Sequence, residues 1–191
     1  IFKSWFVDFD GVKEFDNSEL GPIPKGWKTV KIEDVIELLY GKSLTKENRK
    51  QGNVFVYGSS GIIGFHNESL SEGPGIIVGR KGNVGSLFWA QNPFYVIDTA
   101  YYVKTDLSLH YVYHNFQNQN FINSDAAVPG LQKSQAYSLP ILIPTNEMLK
   151  KFEIVSSKIQ SQFETNKEQI NRLTKIKDTL LPKLMSGEIR V

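Results

Sequence analysis

The 191-residue chain contains no cysteine. Disulfide frameworks, cysteine-type zinc fingers, iron–sulfur clusters and cysteine nucleophiles are therefore excluded, and the cytoplasm is the expected compartment. Long apolar runs are also lacking: none approaches the roughly 20 residues that a membrane-crossing helix needs, and the N-terminus has no basic-then-apolar signal pattern. An excess of charge is missing as well. With 22 basic and 20 acidic residues the net charge is only +2, so the total argues neither for nor against a polyanionic partner, and the distribution of charge has to decide. An initiating methionine is absent too. The chain opens at Ile1 and is expected to be a fragment or processed product of something longer.

What is present is the composition of a folded protein, with 40% hydrophobic, 12% aromatic and 22% charged residues. The length suits one compact domain with an appendage. The expected fold class is α+β: a β-rich globular domain followed by one long coiled-coil-type helix. The opening IFKSWFVDFDGVKEF is too aromatic for an exposed tail and reads as the end of an element that begins elsewhere. Pro22, Pro24 and Gly26 forbid regular helix and mark a turn-rich approach to the domain. Ile32, Val35, Ile36, Leu38 and Leu39 fit a short helix with Glu33 and Asp34 in its first turn. After Gly41 the runs VFVYGSSGIIGF, GIIVGRKGNVGSLFWA and FYVIDTAYYVKTD are β-branched, aromatic and punctuated by glycine, which predicts a curved or barrel-like sheet. LHYVYHNFQNQNFIN reads as a short helix across that sheet, and AAVPGLQKSQAYSLPILIP as loop and strand, with Pro144 ending the globular part.

Residues 145–181 contain neither glycine nor proline. Phe152, Val155, Ile159, Phe163, Asn166, Ile170 and Leu173 form a heptad seam in steps of three and four, and Leu180 follows one heptad after Leu173. A helix of this length, roughly 50 Å at about 1.5 Å per residue, is too long to lie wholly on such a domain. Asn166 is the polar member that weakens the seam and penalises wrong registers. A helix folded back on its own domain is the alternative, and Pro182 with Gly187 is expected to end it.

Glycine recurs at every third position in Gly58-Ser-Ser-Gly61-Ile-Ile-Gly64 and in Gly79-Arg-Lys-Gly82-Asn-Val-Gly85. Neither string is a dinucleotide fingerprint, because strand rather than helix follows, and neither ends in the GK[ST] of a phosphate loop. Both read as hairpin turns, the second presenting Arg80, Lys81 and Asn83, groups suited to phosphates and base edges. Lys42, Lys46, Arg49 and Lys50 form a second basic cluster, which is either a solvated loop or a phosphate contact. His110 and His114 have metal-ligand spacing, but Tyr111 stands where the metalloprotease glutamate belongs and no third ligand is evident. Asn92-Pro93-Phe94-Tyr95 lacks the second proline of an amino-methyltransferase motif. No carboxylate cluster suits a nuclease, and no serine–histidine–aspartate set is evident. No enzyme activity, metal or cofactor is expected of the chain.

In order, LGPIPKGWKTVKI, YGSSGIIG, VGRKGNVG, AAVPGLQKS with LPILIP, and LLPKLMSGEI resemble the specificity subunits of type I restriction-modification systems, over nearly the whole chain. The resemblance implies a target-recognition domain reading one half of a bipartite DNA site. It also implies a conserved helix that pairs in an antiparallel coiled coil and sets the half-site separation. The expected division is residues 1–19 as the tail of a preceding conserved helix, 20–144 as the recognition domain and 145–191 as the spacer and docking helix. On this reading the candidate DNA contacts are Lys42, Lys46, Ser59, Ser60, Arg80, Lys81, Asn83, Gln132 and Lys133, with phosphate and base roles unassigned. The implied partners are double-stranded DNA, methyltransferase subunits that carry the methyl donor, and translocase-nuclease subunits; a homodimer through the long helix is a further expectation. A protein-interaction module with an oligomerising helix and no DNA role is the competing reading, to which the small net charge lends weight.

Overall fold

The computed structural model describes residues 1–121 and 130–189, and the AAVP of the AAVPGLQKS string lies outside them. The chain divides into two compact units, Ile1–Lys150 and Lys151–Val191. In chain order the first contains α1 (Phe2–Phe6), β1 (Phe15–Ser18), β2 (Gly21–Pro24) and β3 (Lys28–Lys31). A 3-10 turn at Ile32–Asp34 leads to β4 (Ile36–Tyr40), β5 (Val54–Gly58), β6 (Gly61–His66), β7 (Gly75–Gly79), β8 (Leu87–Ala90), β9 (Phe94–Val96) and β10 (Ala100–Thr105). Helices α2 (Leu109–Phe116) and α3 (Lys133–Ser138), strand β11 (Pro140–Ile143) and helix α4 (Asn146–Met185) complete the order.

Among the described residues the strands form separate sheets rather than one barrel. They form a four-stranded sheet ordered β4-β10-β7-β8, a three-stranded sheet β6-β5-β9, and two-stranded pairs β1-β2 and β3-β11. The four-stranded sheet is antiparallel throughout, whereas β5 runs parallel to β9. Every residue of β7 is buried, as its unbroken GIIVG run suggests for a strand covered on both faces. Tyr57, Ile77, Ala90, Phe94, Val96 and Ala100 form one core cluster that joins the two larger sheets.

Three expectations are corrected. The helix read over residues 32–39 is a single 3-10 turn followed by β4. Ile36 and Leu38 are buried while Glu37 between them is exposed, a period of two, and Glu37 faces Lys104 across the β4–β10 ladder at 3.5 Å. Asp34 accepts the Lys31 amide at 2.9 Å, which fixes the turn. The segment after Gly130, read as loop and strand, contains α3, whose Ala136 is buried and whose Tyr137 hydroxyl accepts the Leu38 amide at 3.0 Å. Helix α4 passes through Pro182 to Met185. Proline's fixed φ is itself helical, and its cost is one lost amide donor and crowding against the preceding turn; Gly187, at φ +73°, is where the chain leaves the helix.

The aromatic opening segment has a place in the first unit. Phe6 is buried, with its ring centroid 5.7 Å from Trp27 and 5.0 Å from Tyr111. The turn-rich approach is the β1–β2 hairpin, where Pro22 and Pro24 are tolerated because β2 has a strand on one side only. Helix α2 starts at Ser108, whose hydroxyl accepts the Tyr111 amide at 3.1 Å, and it buries Tyr111, Val112 and Phe116. Thr145 caps α4 in the same way through the Met148 amide, at 3.4 Å.

The second unit is the greater part of α4, which spans 40 residues, or about 60 Å. Phe152, the first residue of the expected seam, is only 1% exposed in the single chain, and Val155 is half-buried. Ile159, Phe163, Ile170, Leu173 and Leu180 are 42–64% exposed. The Asn166 amide oxygen accepts from Gln162 at 2.9 Å, within the same helix.

Candidate nucleic-acid interface

Both glycine-spaced strings are hairpin connections. Ser59 and Ser60 form the tip between β5 and β6, and residues 80–86 link β7 to β8. Glycine is required at the end of β7 and within the loop that follows. A Cβ on Gly79 would lie 2.1 Å from the Asn83 carbonyl oxygen and 2.3 Å from the Ser86 hydroxyl, and Gly82 has φ +77°. The loop folds back so tightly that the Gly85 amide bonds the Gly79 carbonyl at 2.9 Å and the Gly79 amide bonds that of Ser86 at 2.7 Å.

The two tips are fastened together. The Ser86 hydroxyl lies within hydrogen-bond distance of the carbonyls of Ser59, at 2.6 Å, and Asn83, at 2.8 Å. The Asn83 side-chain amide donates to the Ser60 hydroxyl at 3.4 Å. Thr99, just before β10, holds both from beneath. Its carbonyl accepts the amides of Arg80 and Lys81 at 2.9 and 3.0 Å, and its hydroxyl accepts the Ser59 amide at 3.3 Å.

Beside these tips two cations share a pair of tyrosines. The Arg80 guanidinium carbon lies 5.0 Å from the Tyr40 ring centroid and 5.7 Å from that of Tyr101. The Lys133 ammonium, at the first residue of α3, lies 4.4 and 5.9 Å from the same two centroids. The rings meet edge to face at 5.0 Å. Tyr40 ends β4 and is 51% exposed, whereas Tyr101 opposite it on β10 is buried and donates its hydroxyl to the Leu131 carbonyl at 3.1 Å. Burial, together with Tyr40, pushes the Tyr101 phenol up to about 12 despite the opposing pull of Arg80, so it stays neutral and keeps donating at physiological pH. Arg80 also donates from Nη1 to the Asp98 carbonyl at 2.9 Å. Neither cation has a carboxylate ion-pair partner among the described residues.

Of the nine residues picked from the sequence, the structure brings Ser60, Arg80, Lys81, Asn83 and Lys133 to this face, with exposed Gln132 adjoining Lys133, while Ser59 is corrected: it is buried beneath the tip, its amide on the Thr99 hydroxyl and its carbonyl held by Ser86. Lys42 and Lys46 are exposed on the stretch after β4. The Lys42 amide bonds the Val96 carbonyl at 2.9 Å, but no hydrogen bond or ring contact among the described residues joins either side chain to the Tyr40 face. In the same stretch Arg49 turns inward, its Nη1 donating to the Ile63 carbonyl at 2.8 Å beneath Gly64, so that cation braces the β5–β6 hairpin. Sequence reasoning missed Tyr40, Tyr101 and Thr99. The signal available was period-two burial in IELLY, which leaves an aromatic exposed at a strand end. His110 stacks on Trp89 at 4.7 Å and His114 lies 2.9 Å from the Gln117 amide oxygen, and no group of three or more metal-ligating side chains occurs among the described residues.

A curated relative, the type I restriction enzyme MjaIX specificity subunit of Methanocaldococcus jannaschii, is 28% identical over an alignment covering 100% of this chain and 52% of its own length. The chain thus spans about half the length of that relative. The type I restriction-modification S subunit from M. genitalium shares the fold with a TM-score of 0.73 at 17% identity, over 84% of this chain and 46% of that one. The HsdS subunit from Thermoanaerobacter tengcongensis superposes with a TM-score of 0.50 at 17% identity, over 92% of this chain and 48% of its own. Residues 24–175, from the end of β2 through most of α4, match the family described as the type I restriction modification DNA specificity domain, and the chain belongs to that family.

Proposed function

We propose that this chain recognises one half of a bipartite DNA sequence and does no chemistry on it. The observation that carries the reading is the pair of cations, Arg80 and Lys133, held on the Tyr40–Tyr101 rings beside two interlocked hairpin tips. A duplex offers phosphate oxygens and base-edge acceptors, and both want cationic donors whose positions are set in advance. Exposed Ser60 and Asn83 at the tips add neutral hydrogen-bonding groups suited to base edges. Lys42 and Lys46 stay candidates for phosphate contact at the margin. Helix α4 is the spacer: its exposed seam pairs with a second helix, from the remainder of a longer subunit or from another copy, and docks methyltransferase subunits. Translocase-nuclease subunits complete the assembly, and cofactor and catalytic groups reside in those partners. On this reading the protein works in the cytoplasm, and residues 1–19, 20–144 and 145–191 act as linker, reader and spacer.

Salt dependence of binding to duplex DNA tests the reading against a purely protein-binding role. Specific DNA affinity falls steeply with salt, by a slope of about 0.9 for each phosphate neutralised, while an apolar protein interface responds weakly. In the cell, deleting the gene abolishes adenine methylation at one bipartite sequence. Unchanged methylation, with no methyltransferase co-purifying, puts the protein-interaction reading first.

A further inference from the structure

We propose that the two cations on the Tyr40 ring have different tasks, Arg80 reading a guanine edge and Lys133 holding a backbone phosphate, with Tyr40 as the positioning residue that sets them apart. This rests on the DNA-recognition reading above and assigns the roles within it.

The two side chains are held to very different degrees. Arg80 is fixed at both backbone ends, its amide on the Thr99 carbonyl at 2.9 Å and its carbonyl accepting the Leu131 amide at 2.8 Å. Its guanidinium is fixed as well, by one nitrogen on the Asp98 carbonyl and by its place over the Tyr40 and Tyr101 rings. A planar fork held this way has few orientations left, and a fixed fork is what the O6 and N7 acceptors of guanine require in the major groove. Among the described residues, Lys133 is restrained through ring contacts and its position in α3 alone. An ammonium is a compact charge with rotating donors, which serves a phosphate well and discriminates bases poorly.

The sharing of one ring pair supplies the second argument. Like charges so placed repel, and no carboxylate among the described residues offsets them. A phosphate beside Lys133 together with a guanine acceptor pair before Arg80 relieves both. Tyr40 keeps the two cations in place until the ligand arrives, and its half-exposed ring leaves the approach open.

The test is selection of binding sites from a pool of randomised duplex DNA by the 191-residue chain and its variants, followed by a salt titration on the enriched sequence. Arg80→Lys, which keeps the charge, is expected to abolish preference for guanine at one position, a loss of about 10- to 100-fold in discrimination, with the salt slope retained. Lys133→Ala is expected to weaken all sequences alike and to lower the salt slope by about 0.9, leaving the enriched sequence unchanged. Tyr40→Ala is expected to blur the guanine position and weaken binding, and Tyr40→Phe to restore both. Should Arg80→Lys weaken all sequences equally, or leave the guanine in place, this assignment is overturned while DNA recognition stands. If the wild-type chain enriches no sequence and binds without salt dependence, the recognition reading falls, and the assignment with it.

Discussion

The Tyr40 face and the far half of α4 both look into solvent, and they are made in opposite ways. Around Tyr40 the exposed ring is surrounded by polar and cationic groups whose backbones are tied down: Thr99 takes three amides from the two tips, and Ser86 reaches across to Ser59. Along α4, Ile159, Phe163, Ile170 and Leu173 are each more than half exposed, and the order comes from the helix itself. A surface meant for a hydrated, charged ligand has to be set in place by internal hydrogen bonds, since water competes for every donor. A surface meant for an apolar partner needs only regular spacing, because burial on association is non-directional.

The sharpest break in this contrast lies within α4. Phe152→Ala is expected to lower the unfolding free energy by about 3–5 kcal/mol in urea denaturation, whereas Phe163→Ala, at an exposed site, changes it by less than about 0.5 kcal/mol. Equal effects would mean that the two phenylalanines share one environment. In the hairpin tips, Gly79→Ala forces a methyl group against the Asn83 carbonyl and is expected to cost about 1–3 kcal/mol and to displace residues 80–86, read by hydrogen exchange of the Gly85 amide. Ser86→Ala removes the clasp on Ser59 and is expected to cost about 1 kcal/mol, with faster exchange at the tips and little change elsewhere. The smallest effect on the folded chain comes from Asn166→Leu. It leaves monomer stability nearly unchanged but strengthens self-association or mixes oligomeric states in sedimentation velocity; no change there argues against a seam at this position.

The sequence showed α4 clearly because an uninterrupted period of three and four has no strand counterpart, and it showed the two hairpins because glycine spacing marks turns whatever surrounds them. It misled over residues 32–39, where Ile32, Val35, Ile36 and Leu39 also satisfy a helical period. What decided for strand was pairing with β10, a partner more than sixty residues away. Helix α3 was hidden for a similar reason: KSQAYS is too short and polar to announce itself, and its anchor is the distant Leu38 amide. At the candidate interface the cations were legible as charges in turns. The ring beneath them was not, since nothing local brings Tyr40 to Arg80 and Lys133. Arg49 is the converse case, a cation read as surface that the fold turned inward.

Thr99 gives the candidate interface one further property. Its carbonyl and hydroxyl hold the amides of Arg80, Lys81 and Ser59 at once, so the two tips share one anchor in addition to the bonds between them. The carbonyl is backbone and survives any substitution, so a side-chain change at residue 99 releases the Ser59 amide alone and leaves Arg80 and Lys81 held, which lets one tip loosen while the other stays in place.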